Sequence, residues 1–176
     1  MIRIFDFLFS LIGLIFLFPL LILIFLIGLF DNGSSLFIQK RVGYNLKSFS
    51  LIKFRTMPVG MRSAGTHLIK NIKFSSFGYF LRRTKIDEIP QLFNVLIGDM
   101  SLVGPRPCLF NQRKLINERK KRGVFKVRPG ITGLAQISDI NMKTPTLLAK
   151  TDQKMIKKIS LYNYFYYIFK TIFKII

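Results

Sequence analysis

The sequence predicts an α+β protein: an apolar N-terminal helix interrupted near Pro19, then a small, mostly helical body with short strands and amphipathic surface helices. Three observations carry that expectation. Phe7 to Phe30 hold no charged side chain. The charge is segregated, with Arg3, Asp6 and Asp31 the only charged side chains among the first 36 residues and 27 basic against 6 acidic ones after them. The body then mixes stretches of helical apolar spacing with short apolar runs bounded by Gly, Pro and Asn.

Composition narrows the classes. Of 176 residues half are hydrophobic, yet the formal net charge is +20. Such hydrophobicity excludes intrinsic disorder, and the apolar surface needs more than an ordinary soluble core. One Cys (Cys108) and one His (His67) exclude a disulfide framework and a Cys/His zinc site. Acid chemistry is confined to eight carboxylates.

The uncharged run of 24 residues exceeds the roughly 20 needed to cross a bilayer. It is too long for a signal-peptide core of about 7–15 residues, and Asp31-Asn32-Gly33 follows instead of a small-residue cleavage site. Pro19 removes a backbone donor and clashes with the preceding turn, which predicts a kink or break. Both a kinked spanning helix and a re-entrant one fit. Basic residues at both ends, Arg3 and Lys40-Arg41, lean toward re-entry. Residues 1–35 form the anchor and 36–176 the body.

Along the body, 36–57 read as two strands around Gly43-Tyr44-Asn45, 58–71 as a loop, and 76–83 as a short helix. Ile89, Leu92, Phe93 and Leu96 give the next helix its apolar face, with Pro90 in the first turn and Gly98 as C-cap. A very basic helix covers 111–122, loops cover 123–137, and a helix runs from Thr144-Pro145 to about Ile159. The Tyr- and Phe-rich tail suits a bilayer interface or a docked C-terminal helix.

Asp87-Glu88 is the only adjacent carboxylate pair. It follows Arg82-Arg83 and opens a helix, where the positive end of the dipole favours the ionised form. A nucleophile, a metal ligand or plain N-capping all fit that placement. Arg106 stands between Pro105 and Pro107, which limits the entropy cost of presenting an anion ligand. Arg128-Pro129-Gly130 repeats the arrangement. His67 and Cys108 receive no role.

These pieces occur in a fixed order: QKRVG (39–43), KFRTM (53–57), FLRRTKIDEIPQLFNVLIGDMSLVGPRP (80–107) and RPGITGLAQI (128–137), behind an apolar segment. The chain thereby resembles the monotopic phosphoglycosyl transferases, a family of bacterial sugar transferases, and in particular their small members. The resemblance implies transfer of a sugar 1-phosphate from a UDP-sugar to undecaprenyl phosphate with release of UMP, opening glycan assembly. It implies Asp87 as nucleophile in a covalent phosphosugar intermediate, Asp87 and Glu88 as the Mg²⁺ ligands, and Arg106 on a substrate phosphate. Arg82, Arg83 and Arg128 are expected on phosphates too, and Asp152 as a further acid of the site. It also implies a re-entrant anchor in the inner membrane, the body on the cytoplasmic face against phospholipids. Departures are Phe18 before Pro19 where relatives commonly have Ser, and Phe93 and Leu134 where they often have Trp. Residues 138–160 also diverge. A membrane-tethered nucleic-acid binder is the rival that the charge alone would suggest. It leaves the Asp-Glu pair and GPRP without a purpose, so no nucleic-acid partner is expected.

Overall fold

The computed structural model describes residues 2–60 and 74–175. Most of the 58–71 loop, with His67, lies outside them. The architecture is α+β. Helix α1 (Ile2–Asn32) is followed by an antiparallel pair, β1 (Leu36–Val42) and β2 (Ser48–Phe54), and then by α2 (Ser76–Arg83) and α3 (Gln91–Ile97). A second, parallel pair joins β3 (Ser101–Val103) to β4 (Gly130–Thr132). Helix α4 (Arg113–Lys121) lies between these strands, and α5 (Leu134–Ile137), α6 (Pro145–Lys157) and α7 (Leu161–Ile175) close the chain.

The interruption predicted near Pro19 is absent: α1 stays helical from Ile2 to Asn32 with Pro19 inside it. A proline in a helix interior costs about 3 kcal/mol, and packing on both sides of it opposes that cost. Leu14, Leu17, Leu21 and Ile24 all join one cluster with Phe54, Leu81, Ile89, Leu92 and Leu96, while Pro19 itself is exposed. The buried stripe continues through Asp6 and Ser10 at helical spacing. Phe16, Phe18 and Phe30 project from other faces. The helix therefore lies along the body instead of standing away from it.

Both ends of α1 are tied down. Arg3 donates to the carbonyls of Val95 (2.5 Å) and Leu96 (2.9 Å), placing a cation on the last turn of α3. The Asp6 carboxylate accepts from Ser101 Oγ, Leu102 N–H and Tyr164 Oη at 2.9–3.0 Å. At the far end Ser75, the N-cap of α2, donates to Asp31 (2.6 Å).

The β1–β2 ladder runs from Leu36 opposite Phe54 to Val42 opposite Ser48. Asn45 and Leu46 take positive φ in the connection, close to the predicted turn. Helix α3 grips the outer edge of β2 through Asn94, fully buried, whose amide donates to Ser50 O (2.8 Å) and accepts from Ile52 N–H (3.0 Å). Phe93, expected in the core, is instead exposed, and Gln91, Asn94 and Val95 are the buried residues of α3. The reason is that α3 packs on two partners, a helix and a strand edge, so the apolar period alone misjudges its faces. Replacing Asn94 by Leu strands two buried backbone groups at about 1–3 kcal/mol each. Chemical denaturation of Asn94→Leu should show a loss of about 2–4 kcal/mol.

The two Gly-Pro segments meet at β3 and β4. A Cβ at Gly130 would overlap the Gly104 backbone nitrogen, so only glycine permits this approach. Helices α4 and α6 enclose Cys108, Leu115, Ala135, Leu148 and Ala149. Helix α7 is docked, as one of the two readings of the tail expects, burying Tyr164 and Tyr167 against the body and exposing Tyr162, Phe169 and Phe173.

Candidate active site

Asp87 and Glu88 occupy a short 3₁₀ turn, Ile86–Glu88, between α2 and α3. Lys85 enters that turn in the left-handed region (φ 59°), and Pro90 is the N-cap residue of α3. The pair thus lies just before the helix, close to where the sequence put it. Asp87 is buried. Burial, then the neighbouring Glu88 carboxylate, push its pKa up to about 6, against the opposing pull of Lys53, Arg82 and Lys85. Among the described residues its carboxylate makes no hydrogen bond or ion pair.

Glu88 differs. Burial would raise it, but the Arg106 guanidinium, 2.5 Å away, together with Lys85 and Lys53 outweighs burial and holds it below the usual carboxylate range. Arg106 is fixed from behind. Arg119, 1% exposed, donates Nη1 to the Arg106 carbonyl (2.8 Å) and pairs with Asp152 at 2.8–2.9 Å. Asp152 is therefore a buried partner of Arg119, two links removed from Glu88, and does not face the carboxylate pair.

Two further cations complete the arrangement. Directly opposite residues of an antiparallel ladder share a face, so Gln39, Arg41, Leu51 and Lys53 project to the same side. Arg41 donates to Gln39 Oε1 (2.6 Å) and Pro107 O (3.3 Å). Burial, then the nearby Arg106, lower its pKa to about 10. Lys53 lies 5.4 Å from the ring centre of its ladder partner Phe37, and burial lowers its basicity. Arg41, Leu51, Lys53, Glu88, Gln91, Arg106, Pro107 and Gly130 line a small solvent-open cleft.

Of the arginines expected on phosphates, Arg106 lines the cleft and Arg82 acts on both carboxylates from the end of α2. Arg83 is exposed in the last turn of α2. Arg128 stands apart, donating to Gly98 O (2.7 Å) and stacking on Tyr44. Arg41, Lys53 and Arg119 were not singled out from the sequence. The first two stood in the QKRVG and KFRTM blocks at odd positions of predicted strands, a usable signal once the register is known.

Five cations (Arg41, Lys53, Arg82, Lys85 and Arg106) around two carboxylates leave a surplus of positive charge, and Asp87 has no hydrogen-bond partner among the described residues. Such a site can receive a polyanion and bring a carboxylate oxygen against it. Asp87 and Glu88 also supply two hard oxygen donors on consecutive residues. Among the described residues no group of three or more His, Cys, Asp or Glu could form a complete metal cage. The pair fits Mg²⁺, which binds through one or two carboxylates and completes its shell with phosphate oxygens and water.

An apolar helix long enough to be a membrane anchor thus lies along a body that presents an anion site beside a carboxylate. Comparison with known sequences narrows the class. The chain belongs to the bacterial sugar transferase family, whose sequence model matches residues 1–176. Among its relatives, EpsL of Bacillus subtilis, an uncharacterized sugar transferase, is 46% identical over 110 residues, covering 62% of this chain and 54% of EpsL. An undecaprenyl-phosphate glucose phosphotransferase of Komagataeibacter xylinus is 43% identical over 77% of this chain and 27% of its own length. The exopolysaccharide production protein ExoY of Sinorhizobium fredii is 32% identical over 97% of this chain and 83% of its own. The chain thus spans about a quarter to a half of the first two and most of the third.

Proposed function

We propose that the protein transfers a sugar 1-phosphate from a UDP-sugar to undecaprenyl phosphate, releasing UMP, as the first membrane step of glycan assembly such as capsule, O-antigen or exopolysaccharide. Family membership supports the reaction class, and the K. xylinus relative bears that activity in its name. The observation that carries the mechanism is Asp87, buried, without a hydrogen-bond partner among the described residues, and beside the Glu88–Arg106 pair.

In this reading a carboxylate oxygen of Asp87 attacks the sugar-bearing phosphorus, and the bond to the UMP oxygen breaks. UMP leaves with the electron pair, and an aspartyl phosphosugar remains. An oxygen of undecaprenyl phosphate then attacks the same phosphorus and returns the Asp87 carboxylate. Phosphoryl transfer is chiefly positioning and charge neutralisation, which Arg106, Arg41, Lys53 and Arg82 provide around the incoming diphosphate. Mg²⁺ held by Asp87 and Glu88 would supply further neutralisation of the phosphates.

The reading includes a monotopic placement at the inner membrane with the body on the cytoplasmic side. The ties at both ends of α1, through Arg3 and Asp6 and through Asp31, support it, because one body holds both termini of the apolar helix. The uncovered apolar face of α1 would enter one leaflet, and the exposed rings of α7 suit the headgroup level.

The test is detergent-purified protein with undecaprenyl phosphate, Mg²⁺ and UDP-glucose or UDP-galactose, followed by nucleotide analysis. UMP is expected, and chelation with EDTA should stop its release. UDP as the product would indicate simple glycosyl transfer and contradict the mechanism. The nucleophile must be ionised, so kcat/KM should rise with pH through an acid limb near pH 6 and level off above it, as burial of Asp87 requires. A limb near pH 4 would mean that the reacting acid is not buried.

A further inference from the structure

Gln91 is the residue of the cleft that the phosphate chemistry leaves without a task. It begins α3, three residues after Glu88, and lines the cleft with Glu88, Lys53 and Arg106. Its side chain is 4% exposed. Among the described residues no hydrogen bond holds its amide, which opens onto the cleft and is not one of the buried unsatisfied groups. The contrast with Asn94, three residues on, is direct: that amide is fully engaged by the backbone of β2.

The surrounding chemistry says what Gln91 reads. The polar groups that share the cleft with it are Arg41, Lys53, Glu88 and Arg106, all charged. Cations bind phosphate oxygens, and they discriminate poorly among neutral hydroxyls. A carboxamide offers two donors and an acceptor of no net charge, the chemistry that reads a hydroxyl or an acetamido group. It also lies next to the carboxylate pair, and the phosphorus presented to that pair carries the sugar.

We propose that Gln91 is a sugar-binding residue of the donor site, its amide hydrogen-bonding a hydroxyl or acetamido group of the transferred sugar. This rests on the UDP-sugar reading above. The amide holds its buried position for that contact, because the folded chain itself gives it none. A site built to hydrogen-bond a substrate group penalises loss of the bond far more than a site that merely accommodates it.

The test compares wild type and Gln91→Leu, an apolar side chain one heavy atom smaller, with whichever of UDP-glucose and UDP-galactose the wild type turns over better. The variant should melt at the wild-type temperature or above. Its kcat/KM for the UDP-sugar should fall about tenfold or more, the loss of one well-placed hydrogen bond, while inhibition by UDP and by UMP changes less than about twofold. Unchanged kcat/KM would overturn the proposal. So would inhibition by UDP and UMP that weakens in step, because the amide would then hold the phosphates or the nucleoside. If the Leu variant fails to fold, Gln91→Met of similar length carries the same comparison. Wild-type protein inert toward every UDP-sugar would overturn the donor reading as well, whereas an active wild type with an indifferent variant overturns only the role of Gln91.

Discussion

Asp87→Asn should abolish turnover, with kcat falling at least about 10⁴-fold, the scale seen when a nucleophile is removed. The same substitution should raise thermal stability. The folded state binds the Asp87 proton more tightly than the unfolded chain does, because burial and Glu88 raise its pKa from the usual 3.8 to about 6. Ionising it therefore costs stability, a penalty that grows as pH rises from about 4 to 6 and is complete at neutral pH. The amide never ionises and escapes the penalty, an effect of up to about 3 kcal/mol at pH 7 that disappears below pH 4. Thermal melts of wild type and variant at pH 4 and pH 7.5 check it. Loss of activity with a lower melting temperature at pH 7.5 would mean that Asp87 holds the fold together, contrary to its partnerless burial. Activity retained in the asparagine variant would remove it as nucleophile.

Arg106→Ala has the second largest expected effect. Glu88 sits 2.5 Å from the guanidinium and depends on it to stay ionised despite burial. Removing the arginine deletes a phosphate ligand and lets the Glu88 pKa rise. A charge-stabilising arginine in phosphoryl transfer contributes about 10³–10⁵ in kcat, so kcat/KM should fall by at least about 10³-fold. An ionisation of Glu88 should also enter the acid limb of the pH profile, since only Lys85 and Lys53 would then oppose the effect of its burial. Arg106→Lys should recover only part of the rate, because a point charge replaces a planar fork. A pH profile unchanged in the alanine variant would show that Glu88 keeps its charge without Arg106.

These residues were legible in the sequence for physical reasons. With eight carboxylates in the whole chain, two adjacent ones before a proline stand out, and a guanidinium between two prolines has few other uses. What stayed hidden depends on distance along the chain. Arg41 and Lys53 face the cleft together only because Arg41 pairs with Phe49 and Lys53 with Phe37, a register that no local window contains. Arg119 and Asp152 lie on separate helices and meet in the core beneath Arg106. Arg128 looked like Arg106 because both precede a proline, yet its guanidinium reaches Gly98 and the ring of Tyr44. The two are told apart by what lies across the cleft.

The helix α1 makes the same point for the fold. Its apolar length was plain, and the local rule for proline predicted an interruption. Packing of Leu14 and Leu17 before Pro19 and of Leu21 and Ile24 after it, all into one cluster, keeps the helix continuous. The polar ties that lock it to the body involve Asp6 and Arg3, whose partners lie more than 90 residues away. Neither residue carries a local signal that would reveal such a role.

The account stands on a covalent phosphosugar on Asp87, which intact-protein mass spectrometry measures directly. Wild-type protein mixed with UDP-sugar and Mg²⁺, without undecaprenyl phosphate, and quenched in acid should gain the mass of one sugar phosphate. The addition should map to the peptide containing Asp87, match the UMP released, and vanish when undecaprenyl phosphate is added. No adduct, together with UMP release that appears only once undecaprenyl phosphate is present, would mean direct transfer between the two substrates and would contradict Asp87 as nucleophile.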